Sequence, residues 1–235
     1  MEFLPDRHLA RIDESIRELS DLEVRTSSPA HVSHQYIGTV VDNTIALLTA
    51  PANSLDGGHR LVTISDPKNW VSIMQAVHRS FFSSVHLATE RALAELCEGR
   101  LVTVQSGLAL KLDKEISSLL EMIDDDATIQ QVRRLKKSLP RFRSSFDDYL
   151  NAVLEWSDLS RERKRSWRKY FGALSIVRNR ISHSDPTLST KEAQSLRDGG
   201  CGVMVSNDGS LVVNPRMYKQ VASHILDFLD QLVGT

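Results

Sequence analysis

Apolar positions recur along this chain at helical spacing almost from its first residues. After Pro5, Leu9, Ile12, Ile16 and Leu19 fall 3, 4 and 3 apart, a narrow seam that predicts a helix packed on its own core or against a second subunit. Tyr36 to Leu48 fits a helix or a strand, and Pro51 to Gly58 reads as a loop rich in Pro, Asn, Asp and Gly. Asp66-Pro67 is a helix start, an N-cap acid followed by proline at the first helical position. From there Trp70, Ile73, Val77, Phe81, Val85 and Ala88 mark the buried stripe of a helix running to Cys97 and stopping at Gly99. Such a rod is about 45–50 Å long, enough to be a spine of the domain.

Leu101 to Val104 is a short extended piece or a continuation of that helix. Further helices are predicted over Leu110–Ile123, Ile129–Leu139, Phe142–Trp156 and Ser160–His183. Pro140 separates two of them, and Pro186 disfavours helical geometry at Asp185. Val203–Val205 and Leu211–Val213 flank Asn207-Asp208-Gly209, a residue set suited to a hairpin turn. The last helix covers Arg216 to Leu232, with Tyr218, Val221, Ile225, Phe228 and Leu232 on one face. The pattern predicts an all-α helical bundle with a small β-hairpin near the C-terminus. It divides into an N-terminal helix with an irregular region, 1–60, and a helical domain, 61–235.

Composition narrows the class. The chain has 235 residues, 41% hydrophobic and 25% charged, which supports a sizeable core and argues against global disorder. The early acid and proline of Met1-Glu2-Phe3-Leu4-Pro5-Asp6 do not fit a signal peptide, and no run reaches the roughly 18 apolar residues of a membrane span. Cys97 and Cys201 stand alone, as reduced thiols of a cytoplasmic protein would. No membrane partner is expected.

A net charge of −1 hides a local imbalance. Residues 133–169 hold twelve Lys and Arg against five acids. Among them Arg161, Arg163, Lys164, Arg165, Arg168 and Lys169 form a dense run suited to phosphate contacts, with RNA the expected partner. Phe142, Trp167 and Tyr170 are interleaved with the basic residues, where they could stack bases.

The basic run leads into Ile176-Val177-Arg178-Asn179-Arg180-Ile181-Ser182-His183-Ser184-Asp185-Pro186. An Arg, then Asn, three further residues and a His, late on a helix, resembles the signature of HEPN domains. The resemblance covers about residues 160–233, including the hairpin and the amphipathic last helix, and extends more loosely to the long helix 67–97. It implies a metal-independent endoribonuclease with Arg178, Asn179 and His183 in its site, no cofactor, and a homodimer whose two subunits complete one cleft. It also implies a toxin or phage-defence setting, with an antitoxin or other regulator as partner. The alternative is an inactive HEPN-like module that binds nucleic acid or a nucleotide, or acts as a scaffold through dimerisation.

The chemistry of these residues is consistent with the implied reaction. Histidine moves protons near neutral pH, and arginine keeps its charge and offers a planar fork to phosphate oxygens. Arg180 would add phosphate affinity. Five positions separate Arg178 from His183, about 140° around an ideal helix, so one face holds both only if the helix loosens at its end. Other histidines carry less. His31 and His34 form an H-x-x-H without the further ligands a zinc site needs, and His78 and His86 lie on the long helix. His86 and Glu90, four apart, are a secondary pair facing the bundle interior.

Overall fold

The computed structural model describes residues 5–27, 32–53, 67–138, 144–202 and 204–233. Among these, nine helices and one two-stranded hairpin follow in the order α1 (Pro5–Ser27), α2 (Val32–Asn53), α3 (Pro67–Gly99), α4 (Gly107–Glu121), α5 (Asp126–Ser138), α6 (Phe146–Trp156), α7 (Arg161–Ser182), α8 (Thr190–Gly199), β1 (Met204–Val205), β2 (Leu211–Val212) and α9 (Arg216–Val233). The all-α class is as the periodicity predicts. The ambiguous stretch around Tyr36–Leu48 is helical, and α2 continues through Pro51 to Asn53, so the expected loop does not begin at Pro51. The rest of that loop, the Asp66 cap and Phe142 lie outside the described residues. None of the described helices is long and apolar enough to cross a membrane.

The chain forms two compact units, one of residues 1–95 and 157–235 and one of residues 96–156. In the first, α9 is central. Tyr218, Ile225, Leu226, Phe228, Leu229 and Leu232 are fully buried, as is Ala222, so the helix buries more than the single face its sequence suggests. Helices α1 and α2 pack on each other and on α9. Ile12 and Leu19 of the α1 seam are buried within the single chain, as are Ile37, Val41 and Leu48 of α2. Helix α9 thus covers apolar faces of both N-terminal helices.

Polar contacts fasten these layers. Glu14 of α1 pairs with Arg216, Asp21 with Lys219 (3.2 Å), and the buried His34 of α2 with Asp230 (2.7 Å). Helix α3 meets α9 through an aromatic group in which Phe81 lies 4.3 Å from the Tyr218 ring, and His78 Nδ1 sits 2.5 Å from the Tyr218 hydroxyl. Burial lowers the pKa of His78 to about 4, so at neutral pH the ring is uncharged and accepts or donates without desolvating a cation. Helix α7 meets α9 through Trp167 and Phe171, whose rings lie 4.7 and 5.0 Å from that of Phe228.

The second unit holds the end of α3 with α4, α5 and α6. Its buried side chains are Leu96, Cys97, Ser106, Phe146, Leu150, Val153 and Leu154. The Asp148 carboxylate accepts from Ser145 N (2.7 Å) and Gly107 N (2.9 Å), capping α6 and tying it to the start of α4. Arg100 stacks 4.3 Å above the Trp156 ring. Burial raises the Cys97 thiol to about 11, so it stays protonated and unreactive.

Helix α3 ends as the sequence predicts, at Gly99, but by another device. The residue in the left-handed region is Leu101 (φ 55°), with Leu101 N bonded to Glu98 O and Val102 N to Cys97 O. This is a Schellman turn with leucine where glycine is favoured. The side chain is 91% exposed and gains little from burial. Leu101→Gly is expected to stabilise the protein by about 1 kcal/mol, read by chemical denaturation, because it removes the steric cost of positive φ. A loss of stability would show that the leucine makes contacts of its own.

Candidate active site at the end of α7

Helix α7 separates its two jobs by face. Ser160 caps it, its hydroxyl accepting from Arg163 N (3.3 Å). Trp167, Tyr170, Phe171, Ala173, Leu174 and Val177 are buried against the core. Trp167 and Tyr170 are thus core residues, with Trp167 Nε1 donating to Gln231 Oε1 (3.3 Å), and the expectation that they stack bases fails. Their spacing placed them on the apolar face, where packing against His224 and Phe228 claims them.

The opposite face is solvent-facing. Arg161, Arg163, Arg165, Arg168 and Lys169 are exposed, and Lys164 is half-buried. Arg161, Arg165, Arg168, Gly172, Ile176, Asn179 and His183 follow one another at steps of 4, 3, 4, 4, 3 and 4. That spacing keeps them within about 80° of one another on the helix, so the basic side chains and His183 share one stripe over about 33 Å.

The C-terminal turn fixes the last part of that stripe. His183 caps α7 in right-handed geometry (φ −85°, ψ −1°), and Ser184 is left-handed (φ 56°). Ser184 N bonds Ile181 O and Asp185 N bonds Arg180 O, both at 3.2 Å, another Schellman turn. The helix does not loosen before His183. Arg178 and His183 therefore keep their separation of about 140°, and one chain presents them on different sides of α7.

Arg178 is half-buried and its Nη1 donates to Asn179 Oδ1 (3.1 Å). On its side of α7 lies His86 of α3, with Nε2 3.5 Å from Ser175 Oγ. Burial first, and then the Arg178 charge, lower the His86 pKa to about 4, so the ring is neutral beside the guanidinium. Two turns earlier on α3, Arg79 Nη2 donates to Ser184 Oγ (2.7 Å). The face of α3 bearing Arg79 and His86 thus meets α7 at Ser175 and Ser184 and brings a second guanidinium to the residue that follows His183. Among the described residues no carboxylate is bonded to Arg178, Arg79 or His183.

Arg180 plays another part than the one expected of it. Its Nε and Nη2 reach both oxygens of Glu192 (2.7–3.1 Å) and its Nη1 reaches Asp185 Oδ2 (3.0 Å). The fork is filled by carboxylates, so Arg180 clamps α8 to α7 rather than offering itself to phosphate. Glu192 also closes the capping box of α8, accepting from Ser189 N (2.9 Å) and Ser189 Oγ (2.6 Å). A Cβ on Gly199 would collide with the Cβ of Ala173 and lie 2.8 Å from Lys169 O, so α8 seats against α7 only with glycine there. Past the site, Pro186 O accepts from Leu211 N (2.8 Å) and Leu188 N donates to Gly209 O (3.1 Å), which ties the segment after α7 to the hairpin.

A shallow groove elsewhere lies between Glu18 of α1 and Arg216, Lys219, His224 and Asp227 of α9; none of its lining residues belongs to α7. Among the described residues no three His, Cys, Asp or Glu converge as metal ligands. No protein-family model, no curated protein and no solved structure matches the chain.

Sequence reasoning placed Arg178, Asn179 and His183 on one segment and missed Arg79, Ser184 and the proximity of His86 to Arg178. Arg79 and His86 are seven apart and so share a face of α3, but no pattern within α3 tells that this face meets α7.

Two expectations follow from this geometry. In histidine-resolved NMR, His86 stays neutral until the pH approaches 4, and Arg178→Met raises its pKa by removing the neighbouring charge; an unchanged value would mean that the two are not in contact. The Glu192 carboxyl is lowered from 4.5 to about 2, first by Arg180 and then by Ser189. Its clamp is fully present above pH 4.5 and is lost as pH falls toward 2, so Glu192→Gln flattens the loss of stability over that window, measured by denaturation at stepped pH.

Proposed function

We propose that this protein is a metal-independent endoribonuclease of HEPN type, in which an RNA strand lies along α7 and is cut at its end. The observation that carries the reading is the exposed stripe from Arg161 through Arg165 and Arg168 to Asn179 and His183, with Arg178 and Arg79 beside it. The basic half supplies sequence-independent phosphate affinity. The terminal half supplies what transesterification requires. The 2′-oxygen attacks phosphorus as its proton passes to a base, the P–O5′ bond breaks, and O5′ takes a proton, leaving a 2′,3′-cyclic phosphate and a 5′-hydroxyl. His183 is the proton-transfer group. Arg178 and Arg79 are the cations for charge developing on the phosphorane.

One histidine per chain serves one proton transfer at a time, and Arg178 leaves α7 about 140° away from it. The reading therefore places a second copy of the chain at the site, so that two histidines act as base and acid. A module that holds RNA without cutting it is the rival, and the separation of Arg178 from His183 within one chain is what favours it. A toxin or defence role, with a regulator that holds the enzyme in check, goes with the first reading.

The deciding assay is cleavage of a labelled RNA in EDTA. Wild type is expected to cut, and His183→Ala and Arg178→Ala to lose on the order of 10²–10⁴ in rate while still binding RNA. Cleavage retained by His183→Ala would remove the histidine from the mechanism. Binding without cleavage by wild type would select the module. In either case Arg165→Ala and Arg168→Ala should each weaken binding uniformly across sequences and lower the salt dependence by about one charge.

A further inference from the structure

Helix α4 is amphipathic in sequence yet has no buried residue. Leu112, Ile116, Leu120 and Ile123 form an inner stripe that is half-buried, as are Ile129 and Val132 of α5, with which α4 packs. Beside the inner stripe runs an outer one, Leu108, Leu119 and Met122, exposed at 52%, 52% and 70%. Two short helices in mutual contact bury too little apolar surface to be stable in water, and an apolar flank of this kind is normally closed by further helices.

Charge along the hairpin identifies what closes it. The tip carries Glu121, Asp124, Asp125 and Asp126. Asp125 is occupied locally, capping α5 through Thr128 N (2.8 Å) and Ala127 N (3.4 Å). Toward its other end α5 carries Arg133 and Arg134, followed in sequence by Lys136 and Lys137. Four acids and four bases thus lie at opposite ends, about 14 Å apart between Asp125 and Arg134 at helical rise. A second hairpin laid antiparallel on the first sets each acidic tip against the other's basic end. The contact is isologous, so one two-fold axis satisfies both ends at once. Four helices in alternating directions then enclose Leu108, Leu119 and Met122 from each copy, the arrangement of an antiparallel bundle.

We propose that the α4–α5 hairpin is a self-association surface whose occupant is the same hairpin of a second copy of this chain, antiparallel to the first. An anionic membrane or a nucleic acid would be repelled by the acidic tip, whereas the charge pattern is complementary to itself. The inference uses no residue of α7 and does not rest on the ribonuclease reading.

The test is the mass of the full chain by sedimentation and light scattering over the micromolar range at low salt. Wild type is expected at no less than twice the 26.4 kDa chain mass, the hairpin contact alone giving a pair. Leu119→Glu with Met122→Glu should lower the mass from that of wild type by removing the hairpin contact, and leaves any association through α7 unchanged. Arg133→Glu with Arg134→Glu cancels the charge of the basic end, and Glu121→Lys with Asp124→Lys cancels that of the acidic tip, while in a mixed pair one intact tip still meets one intact basic end. Each charge pair alone should weaken association by about tenfold or more, and an equal mixture of the two variants should restore it. Restoration by mixing excludes simple misfolding as the cause of the loss. Wild type that stays at single-chain mass overturns the proposal, and so do charge variants that associate as tightly as wild type, which would place the contact elsewhere.

Discussion

Everything in the larger unit depends on the burial of α9 on several sides. A helix that gives Tyr218, Ile225, Phe228 and Leu232 to the core is satisfied only when α1 and α2 cover part of it and the aromatic rows of α3 and α7 cover the rest. The last element of the chain thereby fixes where the first two lie. It also sets α3 and α7 in their places, and the candidate site is made of the end of α7 and the middle of α3. The ion pairs at Glu14, Asp21 and Asp230 lie on partly exposed edges and add register more than energy.

Much of this was legible in the sequence where a local signal existed. The start at Pro67, the Ser160 to His183 helix and the hairpin around Gly209 each have a cause within a few residues, and the elements begin and end close to where those causes place them. Helix α8 has a local signal of its own in the capping-box spacing of Ser189 and Glu192. Pro51 misled in the other direction, since α2 carries on through it. The central role of α9 was not visible, because an amphipathic pattern records the strongest face and not the number of neighbours.

The site divides in the same way. Arg178, Asn179 and His183 were found by spacing along one helix, and the structure keeps them on α7. What spacing could not supply was which charges are already spent. Arg180 and Arg178 look alike in sequence, yet one is held by Glu192 and Asp185 and the other faces a neutral His86. Trp167 and Tyr170 looked like base-stacking residues only while the packing partner of that face was unknown. Long-range packing, not local chemistry, decided which of these side chains remain available.

Gly172 lies midway along the exposed face of α7, between Arg168 and Asn179. A glycine inside a helix costs about 1 kcal/mol relative to alanine. Here no atom of a neighbour comes within 4 Å of the place a side chain would occupy, so internal packing does not require it. The helix is bare at that point, with open space above its backbone. If a strand follows the stripe as proposed, it can descend onto the main chain there, and any larger residue at this position would stand in its path as a hurdle.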